Sequence, residues 1–378
     1  VRRVDILVIG GGIAGVSAAA RFAQHADTVL LEREGALGYH SSGRSATFYH
    51  FGIGDDAVRG LTAASRHFFA NPPGGEELPP LWQTKSAMFF ATSETMDQLT
   101  ALEAEMRRFS DDISQVGPSE MQAIVPALKV GNGAAVAGLV DTGGRKLDAD
   151  LLLQANARAL RAAGGEIHFN AGVTGIARSG ADWIVDTVSE SYAARIVVNA
   201  SGAWADELAV MAGVRPLGLI PLRRTIIGFD PPAGLDVSDW PFLKTVFDDG
   251  FYMLPDAGRL LASPMDVTPS PACDVQPDDY EMALAAWRVE EATSLSVERI
   301  ALKWAGLRSF VADKVPTAGF AVDAPGFFWL AGQGGYGLQT SPAMALAAEA
   351  LLFDRPWPEL LLEQGVEPYQ IRPERLFS

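Results

Sequence analysis

The chain has 378 residues, 48% of them hydrophobic, which is enough for two domains or for one large core with an elaborated second layer. Its 46 acidic and 30 basic residues leave a net charge of −16 with no basic cluster, a balance that repels nucleic acid and anionic lipid surfaces. The one cysteine, Cys273, excludes an intrachain disulfide and a thiolate metal site and fits a reducing, cytoplasmic setting, and no run reaches the ~18 apolar residues of a membrane span.

The sequence opens at Val1, so a few residues or a tag are expected to be missing ahead of it, and the first apolar run reads as a strand and not as a signal peptide. That strand, Val4 to Ile9, feeds Gly10-Gly11-Gly12-Ile13-Ala14-Gly15, a small-residue helix, and a second strand, Thr28 to Leu31, closed by Glu32. Gly10 permits the tight turn, Gly12 lets the backbone approach a pyrophosphate, and Gly15 lets the helix pack on the strand. The helix N-terminus offers unpaired N–H groups to phosphates, and Glu32 stands where a carboxylate accepts hydrogen bonds from ribose hydroxyls. This is an adenine-dinucleotide signature in its full context.

Gly38-Tyr39-His40-Ser41-Ser42-Gly43-Arg44-Ser45-Ala46 is too polar for a core and rich in donors. Residues 55–70 read as helix, broken by Asn71-Pro72-Pro73-Gly74-Gly75, and Ser86 to Ala91 as a strand. Helices are expected over 93–109 and 118–125, with Ser93 and Ser119 as N-caps, and over Asp148 to Ala163, stopped by Gly164-Gly165. Strands are expected at Glu166 to Phe169, around Trp183 to Val185 and Tyr192, and at Ala194 to Asn199; the last is continuously apolar and runs into Ala200-Ser201-Gly202-Ala203-Trp204, as a buried parallel strand beside a ligand would. Between Pro216 and about Arg299 the pattern changes to short strands, Arg224 to Phe229 and Phe251 to Leu254, with proline loops and a helix from Asp278 to Thr293. Phe327 to Ala331 is a further buried strand, followed by Gly332-Gln333-Gly334-Gly335-Tyr336-Gly337 and a helix from Ser341 to Phe353. The expected class is α/β plus α+β: a Rossmann-type dinucleotide domain (1–50, 145–215 and 300–378) interleaved with a mixed-sheet substrate domain (51–144 and 216–299).

No second GxGxxG strand-turn-helix is present for a nicotinamide nucleotide, so one bound dinucleotide must carry the redox work, which points to FAD. The turn Gly332 to Thr340 before a helix can face the N1 and C2-carbonyl edge of a flavin, where negative charge collects on reduction; the alternative is an ordinary strand–helix connection.

Gly10 to Gly15, Glu32-Arg33, Gly38 to Ala46, Asn199 to Trp204, Trp304 to Arg308 and Gly332 to Thr340 together resemble the FAD-dependent D-amino-acid oxidase superfamily, which includes glycine and sarcosine oxidases. Within it, Gly38 to Ser45, Leu61 to Arg66, Val214 to Gly218 and Trp304 to Asp313 are similar to bacterial D-arginine dehydrogenases. The resemblance spans nearly the whole chain and implies a glutathione-reductase-like fold with FAD held by Gly10, Gly12, Ile13, Ala14, Gly15, Glu32, Arg33, Ser41, Ser42, Gly43, Arg44, Ser45, Ala46, Val173, Ser201, Gly202, Trp204, Gly306, Gly334, Gly335, Tyr336, Gly337, Leu338, Gln339 and Thr340. It also implies that Arg308 and Tyr252, with Arg224 nearby, hold a substrate carboxylate over the flavin. The chemistry agrees, because a guanidinium binds a carboxylate bidentately and a phenol adds a directed donor.

The expected reaction is oxidative deamination of a D-amino acid, with hydride leaving Cα for flavin N5 and the imine hydrolysing to a 2-oxo acid. A side-chain base is not required if the amine binds neutral. His50 is expected to be a surface-loop histidine. Cys273 is remote in sequence from the flavin segments, so the FAD is expected to be non-covalent.

The pocket residues implied are Phe48, Ile53, Ala87, Gly335 and Gln339. D-arginine dehydrogenases carry an acid at the position of Ala87 and a histidine and a tyrosine at those of Phe48 and Ile53. Burying a cationic head there without partners costs several kcal/mol, about a thousandfold in affinity, so an apolar or neutral side chain is expected. Gly52 and Gly54 suggest a mobile lid around Ile53, or a simple turn. Two alternatives stay open: an oxidase of sarcosine or another N-substituted glycine, and a flavin-binding component of a larger complex without its own substrate. The acceptor, oxygen or a quinone, is not readable.

Overall fold

A computed structural model describes residues 1–72 and 79–377. Pro73 to Gly75 of the expected helix break lie outside the described residues, while the helix itself, Asp56–Ala70, ends at Asn71 and starts where Asp55 accepts from the Val58 N–H.

Two large sheets carry the fold. The first has eight strands, with Arg2–Ile9 at its centre, pairing in parallel with Thr28–Leu31 on one side and Ser191–Asn199 on the other. Phe327–Ala331 continues the parallel set beside Ser191–Asn199. The largely apolar stretches Ile6–Ile9, Thr28–Leu31, Val197–Asn199 and Phe327–Ala331 are buried on both faces, with the helices Ile13–Phe22, Ala149–Ala162 and Gly337–Leu352 packed together on one side. Gly10 sits at φ +115°, and a Cβ on Gly15 would lie 1.9 Å from the Gly10 carbonyl oxygen, so the first helix packs on its strand only because both are glycine.

The second sheet has nine strands, of which Ile220–Phe229 pairs with Leu302–Phe310 along nearly its whole length. Leu302–Phe310 was expected on the nucleotide side of the chain; instead its alternating pattern completes this second sheet. A three-stranded sheet, Phe48–Tyr49, Trp82–Thr84 and Arg145–Leu147, is the third.

Several element ends differ from expectation. The helix expected from residue 93 begins at Met96, and Ser93 caps nothing; the Thr95 hydroxyl instead accepts from the Thr92 N–H. Ser119 does not cap the next helix either, because Pro118 takes its first position and the Glu120 carboxylate accepts from the Gly117 N–H. The helix expected from Ser341 begins at Gly337, four residues earlier, and runs through Pro342, and two short helices, Glu359–Glu363 and Pro368–Ile371, follow it. The proline leaves the Leu338 carbonyl without its helical donor, and the Ser341 hydroxyl donates to it at 3.1 Å.

Candidate active site

A cleft of about 1620 Å³ runs between the two sheets and collects segments that are remote in the chain. One end is built by the opening turn. Glu32 is buried, and its two carboxylate oxygens accept from the Gly11 and Glu34 N–H groups, both at 2.8 Å, which fixes the acid at the edge of the turn. The Ser42 hydroxyl accepts from the Ile13 N–H at 3.0 Å and joins the Gly38–Ala46 segment to the helix start.

That segment is also fastened to the second sheet. The Ser41 hydroxyl donates to the Leu307 carbonyl at 2.6 Å, Arg44 donates to the carbonyls of Val275 and Ala305, and the Trp304 indole donates to the Arg44 carbonyl at 3.0 Å. Arg33 lies 4.0 Å over the Trp204 ring at the rim.

Of the residues the resemblance assigns to the cofactor, Gly10, Gly12, Ile13, Ala14, Glu32, Arg33, Ser41, Ser42, Arg44, Ser45, Ala46, Val173, Ser201, Gly202, Trp204, Gly306, Gly334, Gly335, Tyr336, Gly337, Leu338 and Gln339 line the cleft. Gly15, Gly43 and Thr340 do not. Gly15 packs against Gly10, the Gly43 N–H bonds the Gly38 carbonyl within its own turn, and the Thr340 hydroxyl is turned back to the Tyr336 carbonyl.

The other end of the cleft is a face of the second sheet, and register brings its polar groups together. Arg308 is paired with Leu222, and Arg224, two residues further along that strand, shares its face. Arg224 is nearly buried; its Nε donates to the Asp266 carbonyl at 3.0 Å, and it also bonds Tyr252. Burial first, and then the Arg308 charge, lowers the Arg224 guanidinium to about 9 despite Tyr252 and Asp266. Arg308 has no hydrogen-bond or ion-pair partner among the described residues and projects into the cleft beside Gly335, where an added Cβ would lie 2.2 Å from its guanidinium.

Several site expectations are corrected here. Ala87 is fully buried in the cluster that holds Phe48, Phe89 and Phe242 and does not line the cleft; its strand lies inside the sheet, with Phe242 in register beside it. Phe48 does line the cleft, stacked on Phe242 at 4.8 Å, and so does Ile53. His50 is not a surface residue. It is 5% exposed, stacks on Phe242 at 5.1 Å, and accepts at Nδ1 from the Gly52 N–H at 3.0 Å. Burial, with the charges of Lys244, Arg308 and Arg59, lowers it to about 3, so the ring is neutral. Gln339 lines the cleft, but its amide bonds the backbone of His50 on both sides and the Thr62 hydroxyl, so it fastens the Phe48–Gly54 segment. Cys273, remote in sequence, folds beside Ser41, Arg44 and Trp204 in a shallow hollow outside the main cleft.

Two residues of the pocket were not foreseen. Phe242 supplies the ring on which Phe48, His50 and Tyr252 all stack. Lys244, two residues on, faces the same way and lines the cleft. The available signal was one lysine inside the apolar run Trp240 to Phe247.

The donor set fits a dinucleotide with a flavin. The glycine turn, the anchored Glu32 and the Ser41–Ala46 backbone lie at one end, and the Gln333 amide nitrogen, buried without a partner among the described residues, lies on the cleft wall at the Gly332–Gly337 turn. Among the described residues no group of three or more His, Cys, Asp or Glu could hold a metal, and no helix is long and apolar enough to cross a membrane.

Comparison with known proteins gives the same direction. The family model described as FAD dependent oxidoreductase (DAO) matches residues 5–351. Glycine oxidase of Geobacillus kaustophilus is 23% identical over 375 residues, covering 93% of each chain. Mitochondrial dimethylglycine dehydrogenase of Homo sapiens is 27% identical over 231 residues, 60% of this chain but only 26% of that longer protein. Among solved structures, L-alpha-glycerophosphate oxidase from Mycoplasma pneumoniae with FAD bound superposes with a TM-score of 0.84 at 20% identity, covering 93% of this chain and 95% of that one.

Proposed function

Because the chain belongs to the DAO family of FAD-dependent oxidoreductases, we propose that it oxidises the Cα–N bond of a D-amino acid, giving an imine that water converts to the 2-oxo acid. FAD in the cleft supplies the two-electron acceptor for the hydride leaving Cα. Gly10 to Ala14 and Glu32 hold its adenosine diphosphate half, and Ser41 to Ala46, Ser201 to Trp204 and Gly332 to Gln339 hold the remainder. The nucleotide-binding part is interleaved with the substrate-binding part, with Leu302–Phe310 counted in the second.

The observation that carries this reading is Arg308: a guanidinium in the cleft that Tyr252 also lines, with no partner of its own among the described residues. An unpaired cation at that depth is costly unless a ligand anion completes it, and a planar carboxylate matches its donor fork. Tyr252 adds a hydroxyl. Arg224, already bonded to Asp266 and Tyr252, positions that phenol.

His50 does not take the amine proton. The Nδ1 of neutral His50 accepts from Gly52, which places its proton on Nε2, so the ring can donate to a ligand but not accept a proton there. No side-chain base is required if the substrate amine binds neutral, and its orientation follows from the fixed carboxylate.

An N-substituted glycine is the second reading, favoured by the names of the glycine oxidase and dimethylglycine dehydrogenase relatives; it would use the same carboxylate receptor. A flavin-binding component without a substrate has no use for an open Arg308.

The deciding experiment is anaerobic. The purified yellow protein is mixed with D-, L- and N-methyl amino acids, and the visible band is followed. Bleaching by D-amino acids supports the reading, bleaching by N-methylglycines alone supports the second, and no bleaching with any of them rejects both. Readmitted air then separates an oxidase, which recolours at once, from a dehydrogenase that passes its electrons to a quinone.

A further inference from the structure

We infer that the substrate carries a second carboxylate, received by Lys244, which narrows the amino-acid substrate proposed above to an acidic one and rests on that proposal.

Lys244 belongs to strand Phe242–Thr245 and is in direct register with Tyr252, so both side chains leave the same face of the sheet, toward the cleft. Its neighbours Leu243 and Thr245 are buried on the opposite face. The ammonium donates to the Thr245 carbonyl at 3.1 Å and has no carboxylate within ion-pair distance among the described residues. Asp248, the acid that acts on it most, is exposed at the rim. A lysine kept only for packing would extend its head to the outer surface or pair with an acid, whereas Lys244 is only partly exposed, opens into the cleft and makes no ion pair among the described residues.

Its surroundings are positive as well. Arg224 and Arg308 both act on Lys244, less than Asp248 does, and His50, on which Lys244 and Arg308 also act, is held neutral. Against these three cations stands the Asp266 carboxylate, whose oxygens already accept from the Thr225 N–H and hydroxyl. Apart from Asp248, which is exposed at the rim, the groups named have two positive charges in excess. An acidic amino acid with a neutral amine brings two negative charges.

The geometry divides the labour. Arg308 and Tyr252 take the α-carboxylate, the rings of Phe48 and Phe242 lie along the methylene part, and Lys244 receives the distal carboxylate. A neutral side chain would leave the Lys244 charge uncompensated, and a cationic one would be repelled. This replaces the apolar or neutral side chain expected from Phe48, Ile53 and Ala87, because Ala87 lies outside the cleft and Lys244 inside it.

The test uses the holoenzyme and two isosteric pairs, aspartate with asparagine and glutamate with glutamine, in both configurations, by anaerobic bleaching. The acid of at least one pair is expected to reach half-bleaching at a concentration about tenfold or more below its amide, the scale of one charge-assisted contact. Lys244→Met should bring that ratio close to one while its flavin band stays intact, with Lys244→Gln as a second variant should the first fail to hold flavin. A wild-type ratio near one, or an unchanged ratio in the variants, overturns the inference. If neutral amino acids bleach the flavin and acidic ones do not, the inference fails while the amino-acid activity stands; if no amino acid bleaches it, both fail.

Discussion

Lys244 and Tyr252 stand in direct register across two antiparallel strands, so both side chains leave the same face of the sheet, and Tyr252 in turn bonds Arg224. Tyr252→Phe removes the hydroxyl and keeps the ring stacked on Phe242. Loss of about 1–2 kcal/mol of ligand binding is expected, a fall of roughly five- to thirtyfold in kcat/KM. Steady-state kinetics with the best substrate checks it, and an unchanged value removes Tyr252 from the receptor.

Arg308→Lys keeps the charge but loses the fork. A fall in kcat/KM of about a hundredfold is expected, with normal flavin absorbance, since Lys cannot bind a carboxylate bidentately. Equal activity would show that Arg308 serves structure and not substrate.

The two titratable neighbours of the pocket should behave in opposite ways. His50, lowered to about 3 by burial and by Lys244, Arg308 and Arg59, stays neutral down to pH 5. Imidazole chemical shifts that are flat from pH 8 to 5 would agree, and a titration near 6.5 would not. Lys244, lowered to about 8 by burial and by Arg224 and Arg308 against Asp248, loses its charge as pH rises through that value. KM for an acidic substrate should therefore rise from pH 7 to 9 relative to KM for its amide.

Two glycine-to-alanine changes separate the halves of the cleft. At Gly335 the three atoms nearest the new Cβ all belong to the movable end of Arg308, so flavin should be retained while KM rises several-fold. At Gly15 it meets the Gly10 carbonyl at 1.9 Å, a backbone collision, and flavin content of the purified protein should collapse. Retention of flavin in Gly15→Ala would contradict the packing described.

Asp141 is fully buried, one oxygen accepting from the Gly143 N–H and the other without a partner among the described residues. Burial raises it to about 6 from an ordinary value of 3.8, so the fold favours the uncharged acid. Its contribution is complete below pH 3.8 and is lost as pH rises through about 6. Asp141→Asn should therefore gain on the wild type between pH 4 and 6 and level off above, by about 2–3 kcal/mol at neutral pH. Denaturant melts across that range measure the gain; a constant difference would refute the assignment.

The nucleotide end was legible because its signals are local: a strand, a glycine turn, a helix and Glu32 sit within thirty-two residues, and each needs only its neighbours to be read. Arg308, Tyr252 and Arg224 were legible through resemblance, and strand register places them on one face. Lys244 was not, because Leu243 and Thr245 give no sign of which face of the strand is inward. Ala87 failed for a related reason. Its place in the strand was foreseen, but Phe48 and Phe242, which come from two other segments, share its buried cluster and reach the cleft where it does not. His50 was misjudged because its glycine-rich surroundings resemble an exposed loop, whereas Gln339, 289 residues away, ties its backbone inward.

The bond from the Ser41 hydroxyl to the Leu307 carbonyl joins positions 266 residues apart. A ribosome adding roughly 5–20 residues per second needs about 13–50 s to deliver the second partner after the first. The opening strand-turn-helix and its bond to Ser42 can form early on the nascent chain, but the wall built from Ser41 to Ala46 lacks its ties to the second sheet until residues 304–307 have been made. Cofactor capture is therefore a late event in biosynthesis, and a truncated product lacking residues beyond about 300 should carry the dinucleotide signature yet leave translation colourless.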